Sequence, residues 1–136
     1  MKTICFFILI IVVSLISCEK ENTTDSFLLG LENEFKVNYV NHSADNALKF
    51  TITEINDSRC PGDVECIWAG KADVTVKMES PVAASFVLST LNNALYSSTD
   101  TVGNYSFRLV DVSPYPVSTQ IIKLQDYKVT LKIEKL

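Results

Sequence analysis

Few residues in this chain have side chains that do chemistry in combination, and most of those fall in one short stretch. Residues 57 to 68 read Asp57-Ser58-Arg59-Cys60-Pro61-Gly62-Asp63-Val64-Glu65-Cys66-Ile67-Trp68, gathering two thiols, three carboxylates, a guanidinium and the one tryptophan. Three chemistries are open to the thiols. A structural zinc site needs four ligands, with two to four residues between paired cysteines; five separate Cys60 from Cys66, and the single histidine, His42, lies well upstream. Dithiol redox catalysis uses two intervening residues and a helix that lowers one thiol pKa. The third is a disulfide, for which Pro61-Gly62 supplies the tight turn. Asp63 and Glu65 have the residue types of a glycosidase pair, but in a run of turn residues they fit an exposed acidic loop better. His42 stands in a polar turn as a solvated loop residue, and the sequence has no Gly-x-Ser-x-Gly elbow to partner it. With four glycines in the whole chain, there is no phosphate-cradling loop. No catalytic residue, metal ligand or cofactor is therefore expected.

Two readings of the stretch compete. In the favoured one it is scaffold: Trp68 beside the cysteines caps one end of a core, Asp57 and Arg59 pair or Arg59 binds loop carbonyls, and Ala69-Gly70 lets the chain pass close. In the other, Asp57, Arg59, Asp63, Glu65 and Trp68 form an exposed recognition loop, because loops on a rigid frame often carry binding.

The elements that would position these residues are strands. Phe35 to Val40 alternates apolar and polar. So do Leu48, Phe50 and Ile52 against Lys49, Thr51 and Thr53, and Ala72, Val74, Val76 and Met78 against Asp73, Thr75, Lys77 and Glu79. Tyr127, Val129, Leu131 and Ile133 against Lys128, Thr130, Lys132 and Glu134 is the clearest case. Each reads as a half-buried strand of an antiparallel sheet. Residues 84 to 90 and 104 to 112 are weaker strands; the second changes apolar phase near Leu109, which predicts a bulge, and a similar slip falls at Glu54-Ile55. Turn clusters at 41–46, 91–93, 97–100 and 114–116 separate them. Helix is expected only as a turn or two within 26–33. Six or seven strands at this spacing predict an all-β, immunoglobulin-like antiparallel β-sandwich, with a small closed barrel as the alternative.

The N-terminus gives an address. Residues 4 to 16 are apolar except for Ser14 and follow Lys2, the order of a secretory signal; a run of 13 is short of the ~20 residues that span a bilayer. Leu15-Ile16-Ser17-Cys18 resembles the lipobox of bacterial lipoproteins. That resemblance implies cleavage before Cys18, diacylation of its thiol and acylation of the new amino group, and two or more chains anchor stably. Residues 1–17 are then a lipoprotein signal peptide, 18–34 the lipidated cysteine and a polar tether, and 35–136 the sandwich domain. The address is the outer membrane, on its periplasmic or its cell-surface side. Cys5 leaves with the signal and Cys18 carries lipid, so Cys60 and Cys66 are the remaining pair, which an oxidising compartment joins as a disulfide. Removing Lys2 leaves 11 Lys and Arg against 16 Asp and Glu, a net −5 with no basic cluster, which excludes a nucleic-acid partner.

Residues 57 to 76 also resemble a block found in small bacterial lipoproteins and secreted proteins: Asp-Ser-Arg-Cys-Pro, a gap, Cys, one residue, Trp-Ala-Gly, then a strand. Val112-Ser113-Pro114-Tyr115-Pro116 and Asp126 to Leu131 resemble the end of the same family. The resemblance spans most of residues 35 to 136 and implies a fold and a compartment, with no activity attached. The expected function is a non-enzymatic envelope or surface module that binds a protein or glycan. The alternatives are a small extracytoplasmic hydrolase and a protease inhibitor presenting the Cys60–Cys66 loop.

Overall fold

The computed structural model describes residues 26–136; the stretch expected to be an export signal, Cys18 and the expected tether up to Asp25 lie outside the described residues. Nine strands follow in order: β1 Ser26–Phe27, β2 Glu32–Lys36, β3 Val40–Ser43, β4 Lys49–Asp57, β5 Ala72–Ser80, β6 Ala84–Ser89, β7 Thr99–Val102, β8 Tyr105–Ser113 and β9 Lys128–Lys135. They build two sheets, β1-β3-β4-β5-β6 and β2-β9-β8-β7, that face one another as a sandwich and do not close into a barrel. All neighbours are antiparallel except β1, which runs parallel to β3.

The alternating segments fold as strands because one face of each is apolar and buried. Leu48, Phe50 and Ile52, then Val74, Val76 and Met78, and Val129, Leu131 and Ile133 all point inward. Every phenylalanine of the described residues joins one edge-to-face series across the core. Phe27, Phe50 and Phe86 come from one sheet, and Phe35 and Phe107 from the other, with centroids 5.0–5.7 Å apart. Such pairs add roughly 0.5–1.5 kcal/mol each beyond their burial. Phe50 touches three of the others and is the hub.

Both expected phase slips are bulges: the β4–β5 register shifts between Ile52 and Glu54, and the β8–β9 register between Leu109 and Asp111. Five expectations need correction. No helix forms at 26–33; Phe27 is drawn into the core by Phe35 and Phe50, and the chain turns at Gly30 (φ +82°) into β2. Phe35 to Val40 is not one strand. Asn38 takes φ +63°, and the chain crosses from the four-stranded sheet at Lys36 to the five-stranded sheet at Val40. Strands are present at Ser26–Phe27 and Glu32–Lys36, within or overlapping the span 18–34 expected to be tether. His42 lies in β3 and is half-buried, opposite Lys49, where a loop was expected. The strand count exceeds six or seven because β1 is two residues long, β3 is the second half of the broken segment, and β7 is a polar edge strand.

Truncating the hub should be costly. Phe50→Ala is expected to lower unfolding free energy by about 3–5 kcal/mol, and Val87→Ala, on an exposed face of β6, by no more than about 0.5 kcal/mol. Denaturant titration of both variants checks the contrast.

Candidate functional site

The loops 58–71, 90–98 and 114–127 emerge at one end of the sandwich, after β4, β6 and β8. A buried ion pair holds the first of them. The Asp57 and Arg59 side chains are 5% and 7% exposed. Arg59 Nε donates to Asp57 Oδ1 at 2.8 Å and Nη2 to Oδ2 at 2.7 Å, a two-pronged contact suited to the planar guanidinium. The remaining donors reach across to the other sheet: Nη1 to the Val112 carbonyl at 2.7 Å and Nη2 to the Pro114 carbonyl at 3.1 Å. These carbonyls, two residues apart on one strand edge, lie beyond Arg108, the last residue of β8 that pairs with β7. Arg59 takes the place of a neighbouring strand there. The Tyr127 hydroxyl donates to Asp57 Oδ2 at 3.1 Å, and the Tyr115 ring lies 4.6 Å from the guanidinium carbon.

The electrostatics follow from this geometry. Burial alone would push the Asp57 carboxyl up; the hydrogen bonds and charge of Arg59, helped by Tyr127, outweigh it and hold the group below its ordinary value. Burial would likewise lower Arg59, and Asp57 more than compensates. Tyr127 is pushed up to about 12 by burial, then by the Asp57 charge and by donating its proton to Asp57.

Backbone contacts complete the clasp. Ser58 N donates to Lys71 O and Cys60 N to Ala69 O, so β4 and β5 continue as a ribbon into the loop. Gly70 has φ +68°, and a Cβ there would stand 1.9 Å from the Ser58 carbonyl oxygen, so only glycine fits. Cys60 and Cys66 are disulfide-bonded, with Cα atoms 5.9 Å apart. Gly62 N donates to Pro116 O, and the Asp63 carboxylate accepts from both the backbone and hydroxyl of Ser118, which draws its pKa down.

The five expected recognition residues therefore divide. Asp57 and Arg59 are buried in the clasp, and Asp63 is tied to Ser118. Glu65 and Trp68 face solvent. Trp68 does not cap the core, as the scaffold reading expected; it is 73% exposed, and Tyr127 with Ile122 covers that end instead. The five-residue disulfide ring and the Gly70 contact turn the chain outward before β5 begins, which carries the indole away from the sheets.

On the three loops at this end, one of which carries Trp68, lie exposed apolar residues that the strand pattern did not single out. Ile67 is 95% exposed, Leu95 84% and Ile121 96%, with Val64, Leu91, Tyr96 and Tyr115 also exposed on the same loops. They lie inside turn-rich stretches, where the only sequence signal is an unpaired large apolar side chain. The loops touch one another: 58–71 bonds to 114–118, and Lys71, paired with Asp73, sits over the Tyr96 ring at 4.2 Å. Among the described residues no three His, Cys, Asp or Glu side chains converge as metal ligands. The displaced carboxylates, Asp45, Asp57, Asp63, Glu79 and Glu134, are all displaced downward.

No family model, curated protein or solved structure matches the chain.

The clasp sets two expected outcomes. Asp57→Asn leaves Arg59 buried without its counter-charge and should cost about 3–5 kcal/mol in denaturant unfolding. Stability also acquires two pH limbs. Asp57 contributes fully above 3.8, and the contribution disappears as pH falls through its lower folded value. Tyr127 contributes fully below pH 10.0 and its contribution disappears as pH rises towards about 12. Unfolding measured across pH should show the alkaline limb flattened in Tyr127→Phe and the acid limb flattened in Asp57→Asn.

Proposed function

We propose that this protein is a lipoprotein of the bacterial cell envelope, anchored in the outer membrane through lipidated Cys18, whose sandwich is a non-enzymatic binding module. The observation that carries the reading is the set of strongly exposed apolar side chains, Ile67, Trp68, Leu95 and Ile121, on the loops at one end of the sandwich, the first of which is clasped to the segment 114–118. Large apolar residues concentrated on one end of a soluble fold mark a surface that another molecule covers. Preorganised loops bind with less ordering cost than mobile ones.

The position of the first described strand agrees with this role. Ser26 pairs with His42, which pairs with Lys49 at the start of β4, whereas the loop end follows Asp57 at the finish of that strand. Eight residues of strand separate those levels, about 26 Å at ~3.3 Å per residue. A tether attached at Ser26 leaves the loop end open to a partner.

The rival readings find less support. A protease inhibitor presents its loop freely, whereas Gly62 and Asp63 bind the Cys60–Cys66 loop down onto Pro116 and Ser118. A hydrolase that uses a carboxyl as general acid holds it protonated near neutral pH, and Asp57 and Asp63 are displaced the other way.

Two experiments test the proposal. Cys18→Ser should abolish incorporation of radiolabelled palmitate; labelling that persists contradicts the anchor. A photoreactive phenylalanine analogue placed at position 68 in the living envelope should give a discrete cross-linked adduct absent when the analogue is at position 87. Equal cross-linking from both positions would remove the loop end as the recognition surface.

A further inference from the structure

A groove of about 370 Å³ runs beside the clasp, walled by Gly70, Thr90, Leu91, Val110, Asp111 and Tyr115, with Arg59 at its edge. Its most telling feature is the bulge in β8. Leu109 pairs with Leu131 and Asp111 with Thr130, so Val110 is the extra residue. Leu109 and Val112 stay in the core, and Val110 and Asp111 are both turned to solvent, one apolar and one charged, side by side. Bulges re-aim side chains in this way, often beside binding sites.

The charge of the groove is unbalanced. Arg59 is neutralised by Asp57, which occupies both prongs of the guanidinium. Asp111 makes no ion pair and no side-chain hydrogen bond among the described residues. Lys71 is committed to Asp73, and of the other charged side chains on these loops the carboxylates Asp63, Glu65 and Asp126 outnumber Lys123. The chain as a whole carries −4.

We propose that the loop end docks a protein segment in which a lysine or arginine is flanked by apolar residues, the basic side chain lying in the groove with its charge on Asp111. This rests on the loop end being the recognition surface. A long basic side chain suits the site: its methylenes lie along Leu91, Val110 and Tyr115 while its head meets the carboxylate. The flanking apolar residues meet Ile67, Trp68 and Leu95. An anionic bilayer is disfavoured by the same charge balance, and a neutral glycan leaves Asp111 without a counter-charge.

The test uses the mature chain carrying Cys18→Ser, so that no lipid or detergent competes for the surface, with Trp68, its one tryptophan, as the fluorescent reporter. The probes are N-acetylated, leucine-rich nonapeptides with a central lysine, norleucine or glutamate. The lysine peptide is expected to bind about fivefold or more tightly than its norleucine twin, a factor equal to about 1 kcal/mol of ion pairing, with the glutamate twin weakest. Asp111→Asn, an isosteric change at an exposed position, should erase the lysine preference, and so should high salt. Equal binding of the lysine and norleucine peptides, unaffected by Asp111→Asn, overturns the basic seat while leaving apolar recognition intact. No response of Trp68 to any peptide overturns both. A blue shift of Trp68 on phosphatidylcholine vesicles, with no peptide response, assigns the surface to lipid and overturns the proposal.

Discussion

The buried contact between Asp57 and Arg59 organises the functional end of this molecule. A charge pair removed from water is destabilising unless its hydrogen-bonding capacity is filled. Here it is filled from both sheets: Asp57 and the Arg59 stem belong to the end of β4, the two carbonyls come from the end of β8, and Tyr127 stands at the entrance to β9. The pair therefore joins the two layers where the phenylalanine series no longer reaches. It also fixes where the disulfide ring sits, because Cys60 follows Arg59 directly.

Rigidity in the loops lets this fold present apolar side chains to water. A mobile loop carrying Ile67 and Trp68 would collapse onto whatever apolar surface lay nearest. The Gly70 approach to Ser58, the Gly62 bond to Pro116 and the Asp63 bond to Ser118 prevent that by holding each segment to another. The groove beside Asp111 is a product of the same arrangement, since β7 stops short, Arg59 covers the exposed carbonyls, and the bulge turns two residues outward.

Much of the sandwich was legible in the sequence because its long strands bury one face. Period-two alternation in residues 48–53, 72–79 and 127–134 maps onto β4, β5 and β9, and both phase slips mark bulges. The pairing of Cys60 with Cys66 was legible from the Pro61-Gly62 turn between the thiols and from a spacing that fits neither a zinc site nor a redox dithiol. What escaped were elements whose burial is too small to pattern a sequence: two-residue β1 and the polar edge strand β7. The break at Asn38 escaped because apolar alternation continues through it, while the positive φ that ends β2 leaves only an asparagine as its trace. In the candidate site, the possible pairing of Asp57 with Arg59 was readable from their spacing. The exposure of Trp68 was not, because a tryptophan beside a disulfide is ordinarily a core residue and only the outward turn of the loop decides otherwise. The partners Val112, Pro114, Ser118 and Tyr127 come from sequence positions more than 50 residues away.

The central claim is that the loop end is a preformed surface held by Arg59. Residue-resolved amide hydrogen exchange tests it most directly. The amides of Ser58, Cys60, Gly62 and Ser118, each bonded across the clasp, should exchange far more slowly than those of an open loop, and Arg59→Lys should release them together while β4 and β5 stay protected. Exchange of these amides at open-loop rates in the wild-type chain, or protection unchanged by Arg59→Lys, would contradict the account.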